Sequence, residues 1–110
     1  MWKPDPANII TAEQKVAQAQ AALVEEFRTA IQAHVDATAQ SRRYDSGNSL
    51  ASYVASTNPI WATEAQAFVA WRDGGWAYAY AELDKVLASE REQPTVEGFI
   101  GELDPMMWPD

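Results

Sequence analysis

Apolar residues recur along this chain at steps of three and four, the period of an amphipathic helix. In the first half they fall at Val16, Ala19, Leu23, Phe27, Ile31 (with Ala30) and Val35. Thr11 reads as an N-cap, with Gln14 three residues on completing a capping box and Glu13 favouring the helix dipole. The predicted helix runs from about Ala12 to Gln40 and is rich in Ala, Gln and Glu, all good helix formers. At 1.5 Å per residue it is about 43 Å long. That exceeds a compact domain of this size, so its N-terminal half, the least apolar stretch, is expected to project or to pair with a partner. Ser41 to Asn48 is a break: Arg42 and Arg43 suit a helix C-terminus, and Asp45-Ser46-Gly47-Asn48 has turn chemistry.

A short helix is predicted over Ser49 to Ala55, carrying Leu50, Tyr53 and Val54. Thr57-Asn58-Pro59 ends it, and Pro59 can open the next helix. The second long helix is predicted from about Ile60 to Glu90. Its stripe is Trp61, Ala65, Phe68, Arg72, Trp76, Ala79 (with Tyr80), Leu83 and Leu87, widened by Trp71, Tyr78 and Val86. Gly74-Gly75 in its middle costs about 1 kcal/mol per glycine relative to Ala, so either the helix kinks there or another backbone packs closely. Gln93-Pro94 ends it. Thr95 caps a last short helix with Val96, Phe99, Ile100 and Leu103 at helical spacing. Residues 1–10, with Pro4 and Pro6, read as an extended arm whose Trp2, Ile9 and Ile10 give it something to dock with. The tail from Pro105 to Asp110 is apolar and irregular. The expectation is an all-α fold: two long antiparallel helices, two short ones closing the ends, an N-terminal arm over 1–10 and one helical domain over 11–110.

The totals narrow the function. The chain has 110 residues, 47% of them hydrophobic, with five Trp and a formal net charge of −8. That is one domain with a modest core. Phosphate backbones and acidic membranes repel such a surface, so nucleic-acid and membrane partners are not expected. The chain has no Cys, which removes disulfides, zinc–thiolate sites and thiol nucleophiles and favours a reducing cytosol. No stretch reaches the roughly 18 apolar residues of a membrane span, and the first residues lack the apolar run of a signal peptide.

No constellation points to catalysis. His34 is the single histidine; it lies at the edge of the first stripe and does not share a helix face with Asp36, so neither a Ser–His triad nor a metal pair is expected. Glu25 with Glu26, Asp73 near Glu64, and Glu82 near Asp84 read as solvated helix faces. No catalytic, cofactor or metal residues are therefore assigned. The most informative run is Trp71 to Tyr80. Trp71 and Trp76 are about 140° apart around a helix, so they cannot both face one narrow core. Trp76 shares the stripe with Phe68 and is assigned to the core. Trp71 must meet a second helix, a terminal segment or a partner. Arg72 can lie over Trp76 and is expected to seek Asp45 or Asp36 across the bundle. Such a set serves either as a structural ion pair that fixes register or as a Trp/Tyr/Arg hot spot. Trp71, Arg72, Tyr78, Trp2 and Trp108 are the candidate partner-binding residues; Tyr44, Asp45, Phe68 and Trp76 are the structural ones.

Tyr44-Asp45-Ser46 with Leu50 and Tyr53, Asn58-Pro59, Glu64-Ala65, the run Ala67 to Asp73 with Trp76, Pro94-Thr95 and Trp108-Pro109 resemble a group of small tailed-bacteriophage and prophage proteins of the tail-fibre assembly type. The resemblance covers roughly residues 25–110. It brings no catalytic or cofactor residues. It implies a helper that binds a phage tail-fibre or other tail protein in the host cytoplasm and promotes trimerisation or attachment. Two alternatives stand beside it: a permanent structural component of the tail, present in the virion, and an acidic inhibitor of a host protein. A homo-oligomer through the long first helix is a further option, although its stripe lacks sustained heptads.

Overall fold

The computed structural model describes residues 11–109; the arm predicted over 1–10, with Trp2, lies outside them. Four helices follow in chain order: α1 (Ala12–Gln40), α2 (Gly47–Ala51), α3 (Pro59–Leu87) and α4 (Val96–Glu102). There is no strand among the described residues.

The predicted capping box forms at the start of α1. The Gln14 amide N–H donates to Thr11 Oγ1 and the Thr11 N–H donates to Gln14 Oε1. At the other end Tyr44 N–H donates to the Ala39 carbonyl, with Arg43 at φ 73°. This is the left-handed helix stop usually given to glycine. It turns the chain sharply into α2.

The short second helix corrects the sequence reading. It begins at Gly47, two residues earlier than expected, and ends at Ala51. Ser46, read above as part of a turn, is the N-cap, its side chain accepting from Ser49 N–H at 3.1 Å. Gly47 N–H also donates to Asp36 Oδ1 at 2.8 Å, joining α2 to α1. A Cβ on Gly47 would stand 3.0 Å from Val35 Cγ1 and 3.2 Å from Asp36 Oδ1, so any larger residue would have to push these side chains back by a few tenths of an ångström.

Helix α3 opens with Asn58 as N-cap, its Oδ1 accepting from Ile60 N–H and Trp61 N–H. It runs through Gly74-Gly75 without interruption and stops at Leu87, three residues before the expected end. Ser89, at φ 60°, and a bond from Glu90 N–H to the Lys85 carbonyl terminate it. Thr95 caps α4 through Gly98 N–H.

The long helices are antiparallel. Arg42 near the end of α1 pairs with Glu64 near the start of α3. His34 meets Trp71, and Leu23 lies by Val86 and Leu87. The core holds Phe27, Ile31, Val35 and Ala39 from α1, Leu50 from α2, Ala65, Phe68, Ala79 and Leu83 from α3, and Phe99 from α4. Phe99 meets Phe27 edge-on at 5.2 Å, a favoured aromatic geometry, and so closes the lower end of the bundle. Because α3 stops opposite Leu23, it buries none of residues 12–22 of α1, all of which are exposed. Val16, placed on the stripe by its spacing, is 57% exposed for this reason. Trp61, also on a predicted stripe, is 47% exposed; it lies at the α2–α3 corner, against Tyr53 alone among the described aromatic rings.

Candidate protein-binding cleft on helix α3

The chain after α4 leaves the helical geometry at Leu103 and runs back along α3 toward its N-terminus. Three contacts hold it. The Trp71 indole N–H donates to the Asp104 carbonyl at 2.7 Å. The Trp108 ring lies parallel to Phe68 at 6.4 Å. The Arg42 guanidinium lies over the Trp108 ring at 4.9 Å from its centroid.

Where this segment departs from α3, a cleft of about 400 Å³ opens. Ala70, Gly74 and Gly75 form its floor, and Trp71, Tyr78, Glu102, Leu103 and Asp104 its walls. Its origin is the glycine pair. A Cβ built on Gly74 or Gly75 meets nothing within 4 Å. The sequence left a kink or the close packing of another backbone as explanations; among the described residues neither the helix ladder nor the packing shows one, and the glycines face open space.

The lower wall is an electrostatic network. Tyr78 Oη–H donates to Glu102 Oε1 at 2.6 Å, and Arg91 pairs with Glu102 Oε2. Arg91 also approaches Glu82 at 3.5 Å, and Lys85 pairs with Glu82 at 2.9 Å. Arg91 lies over the Phe99 ring at 5.5 Å, which ties the network to the core. The Arg91 hydrogen bond, then the Tyr78 hydrogen bond, hold the Glu102 carboxyl below the ordinary glutamate value of 4.5. The Glu102 hydrogen bond pushes the Tyr78 phenol above its ordinary value of 10.0.

The sign of the resulting pH dependence follows. A depressed carboxyl contributes stability above its unfolded value and loses it as pH falls through the folded one. A raised phenol contributes stability below its unfolded value and loses it as pH rises through the folded one. Melting temperature is therefore expected to fall below pH 4.5, where Glu102 takes up a proton. Glu102→Gln should flatten that acid limb relative to the parent in melts over a pH series; an unchanged limb would place the acid sensitivity in other carboxylates.

The candidate residues divide between sites. Trp71 and Tyr78 line the cleft. Of the alternatives open to Trp71, it meets two, ringing His34 of α1 at 5.7 Å and bonding the C-terminal segment. Trp108 is half-buried beneath Arg42, at the far end of that segment. Arg72 corrects its expectation: it pairs with its neighbour Asp73 at 2.9 Å and reaches neither Asp36 nor Asp45. Asp36 is occupied by Gly47 N–H and by Gln32. Asp45 is exposed, and it is its backbone carbonyl that accepts a bond, from Gln40. Nor does Arg72 cover Trp76, which stacks on Tyr80 at 5.6 Å; the cation–π contacts among the described residues are those of Arg42 and Arg91. Phe68 is fully buried, while Tyr44 and Trp76 are half-buried. Sequence reasoning missed the Tyr78–Glu102–Arg91 network, because nothing in the spacing of residues 78, 91 and 102 links them. It also missed the cleft, although Gly74-Gly75 in a helix interior was its signal.

No three His, Asp or Glu side chains among the described residues are grouped to hold a metal ion. None of the described helices is long and apolar enough to cross a membrane. Comparison of the chain with protein-family models, curated proteins and solved structures finds no significant match.

Proposed function

We propose that this chain is a non-enzymatic protein-binding factor of the tail-fibre assembly type, acting in the host cytoplasm on a phage tail-fibre or other tail protein. The observation that carries the reading is the open cleft at Gly74-Gly75, walled by the Trp71 and Tyr78 rings. Aromatic side chains beside an empty, mostly apolar recess are the usual anchors of a protein interface. The resemblance of roughly residues 25–110 to tail-fibre assembly proteins supplies the class of partner. The net charge of −8 keeps free copies apart.

The test is co-expression of the tagged chain with the tail-fibre protein encoded beside it, followed by affinity capture. Co-purification that is lost on Trp71→Ala in a folded variant supports the reading, and no co-purification removes it. Mass spectrometry of purified virions then separates an assembly helper, absent from the particle, from a permanent tail subunit.

A non-enzymatic role makes a second expectation. His34 packs against Trp71 and donates or accepts no side-chain bond among those described. His34→Gln is expected to leave fibre capture and phage yield within about twofold of the parent, since it removes one edge of an aromatic contact worth on the order of 1 kcal/mol. Loss of function in an equally stable His34→Gln protein would reopen a chemical role for this ring.

A further inference from the structure

Two adjacent glycines in the middle of a 29-residue helix weaken it by about 1 kcal/mol each. Glycines at such positions have a structural cause when a neighbouring atom occupies the place of the missing side chain. Gly47 is of that kind, with Val35 at 3.0 Å from its would-be Cβ. Gly74 and Gly75 are not: beyond their own helix backbone, nothing among the described residues lies within 4 Å. The bare helix backbone faces the recess, and nothing among the described residues requires it to be bare. The recess is also one-signed. Among the described residues its lining holds the carboxylates of Glu102 and Asp104 and no Lys or Arg. Glu102 is matched by Arg91, whereas Asp104 forms no ion pair among the described residues, its backbone carbonyl alone being engaged, by Trp71. The remaining charge is thus an exposed acid at the rim of an apolar floor.

From these features we infer that the cleft takes a segment of a partner protein in which an apolar side chain lies next to a Lys or Arg. The apolar side chain rests on the Gly74-Gly75 backbone between Trp71 and Tyr78. The cation pairs with Asp104. This deepens the protein-binding reading and rests on it, naming the chemistry of the segment recognised. A volume of about 400 Å³ suits one large side chain with its flanking backbone. An alanine methyl on the floor would stand where that side chain makes contact, and overpacking of this kind weakens a fitted contact markedly.

The probes are two end-blocked synthetic octapeptides with a central Phe, one flanked by Lys and the other by Glu. They are titrated into the ¹⁵N-labelled full-length protein. The Lys peptide is expected to shift the amides of Gly74, Gly75 and Leu103 and the Trp71 indole N–H, and to bind about tenfold or more tightly than the Glu peptide. Gly75→Ala is expected to raise Tm, because the methyl meets open space, and to weaken the Lys peptide by about tenfold or more. Asp104→Asn should weaken it by about two- to fivefold and remove part of its salt dependence, as loss of an exposed pair does. Equal binding of the two peptides, shifts located elsewhere, or unchanged affinity in the more stable Gly75→Ala protein would each overturn the proposal. Its failure is distinct from failure of the broader reading. If the fibre protein is captured equally by parent and Gly75→Ala while the peptides do not bind, the chain is a binding factor that uses another surface. If the Lys peptide binds the cleft but no fibre protein is captured, the recognised chemistry stands and the class of partner falls.

Discussion

Replacing Phe68 with Ala is expected to destabilise the protein by about 3–5 kcal/mol, the usual cost of removing a buried phenyl ring. Phe68 is fully buried and touches three parts of the fold. It lies 5.6 Å from the Trp71 ring and parallel to Trp108, and its Cζ stands 3.4 Å from where a Cβ on Gly47 would be. Losing it therefore opens a cavity that α2, α3 and the C-terminal segment must all relax to fill. A domain of this size has about 5–15 kcal/mol in total, so Tm should fall on the order of 15 °C. Circular dichroism at 222 nm against temperature measures it. A drop below about 5 °C would mean that α2 and the tail do not depend on this ring.

The second large effect is expected at Trp71. Its indole meets Phe68, His34 and the Asp104 carbonyl, so truncation removes two ring contacts, one hydrogen bond and much buried area. Trp71→Ala should cost about 2–4 kcal/mol. Trp76→Ala should cost roughly half as much, since Trp76 stacks on the exposed Tyr80 and a half-exposed ring removes less area from water. Paired melts decide the order. If Trp76→Ala melts lower, the stripe position outweighs the anchoring of the C-terminal segment. Limited proteolysis adds a separate readout: in Trp71→Ala the segment after Leu103 should be cleaved sooner, because its first tether to α3 is gone.

These two residues also show what periodicity can and cannot reveal. Spacing placed Phe68 at the centre of the α3 face, and it is there, because a buried position is dictated by the helix's own geometry. The caps at Thr11 and Thr95 were legible for the same reason: donor and acceptor lie three residues apart and need no other part of the fold. Spacing placed Trp76 in the core and left Trp71 to meet a second helix, a terminal segment or a partner; both are half-buried, and Trp71 meets the first two. The difference comes from an irregular segment returning along α3, whose path no repeat encodes. Asp36 illustrates the same limit. Its partner is a backbone N–H at Gly47, not the arginine that charge alone suggested, since backbone donors are invisible to a search for complementary side chains. The cleft was announced only indirectly, by a glycine pair that local propensity disfavours, and its walls required the tertiary structure.

The unaccompanied beginning of α1 gives the molecule two levels of cooperativity. An isolated helix of about a dozen residues is marginal in water, and residues 12–22 bury no side chain among the described residues and rest mainly on their own ladder and the Thr11 cap. Their amides open by local fraying, without disturbing the Phe27–Phe99 contact that locks the bundle below them. The amides of residues 12–22 are therefore expected to exchange before those of the core segment Phe27–Ala39. A single helix carries a rigid half, whose amide protection follows global unfolding, and a half whose order is renewed continually from the cap.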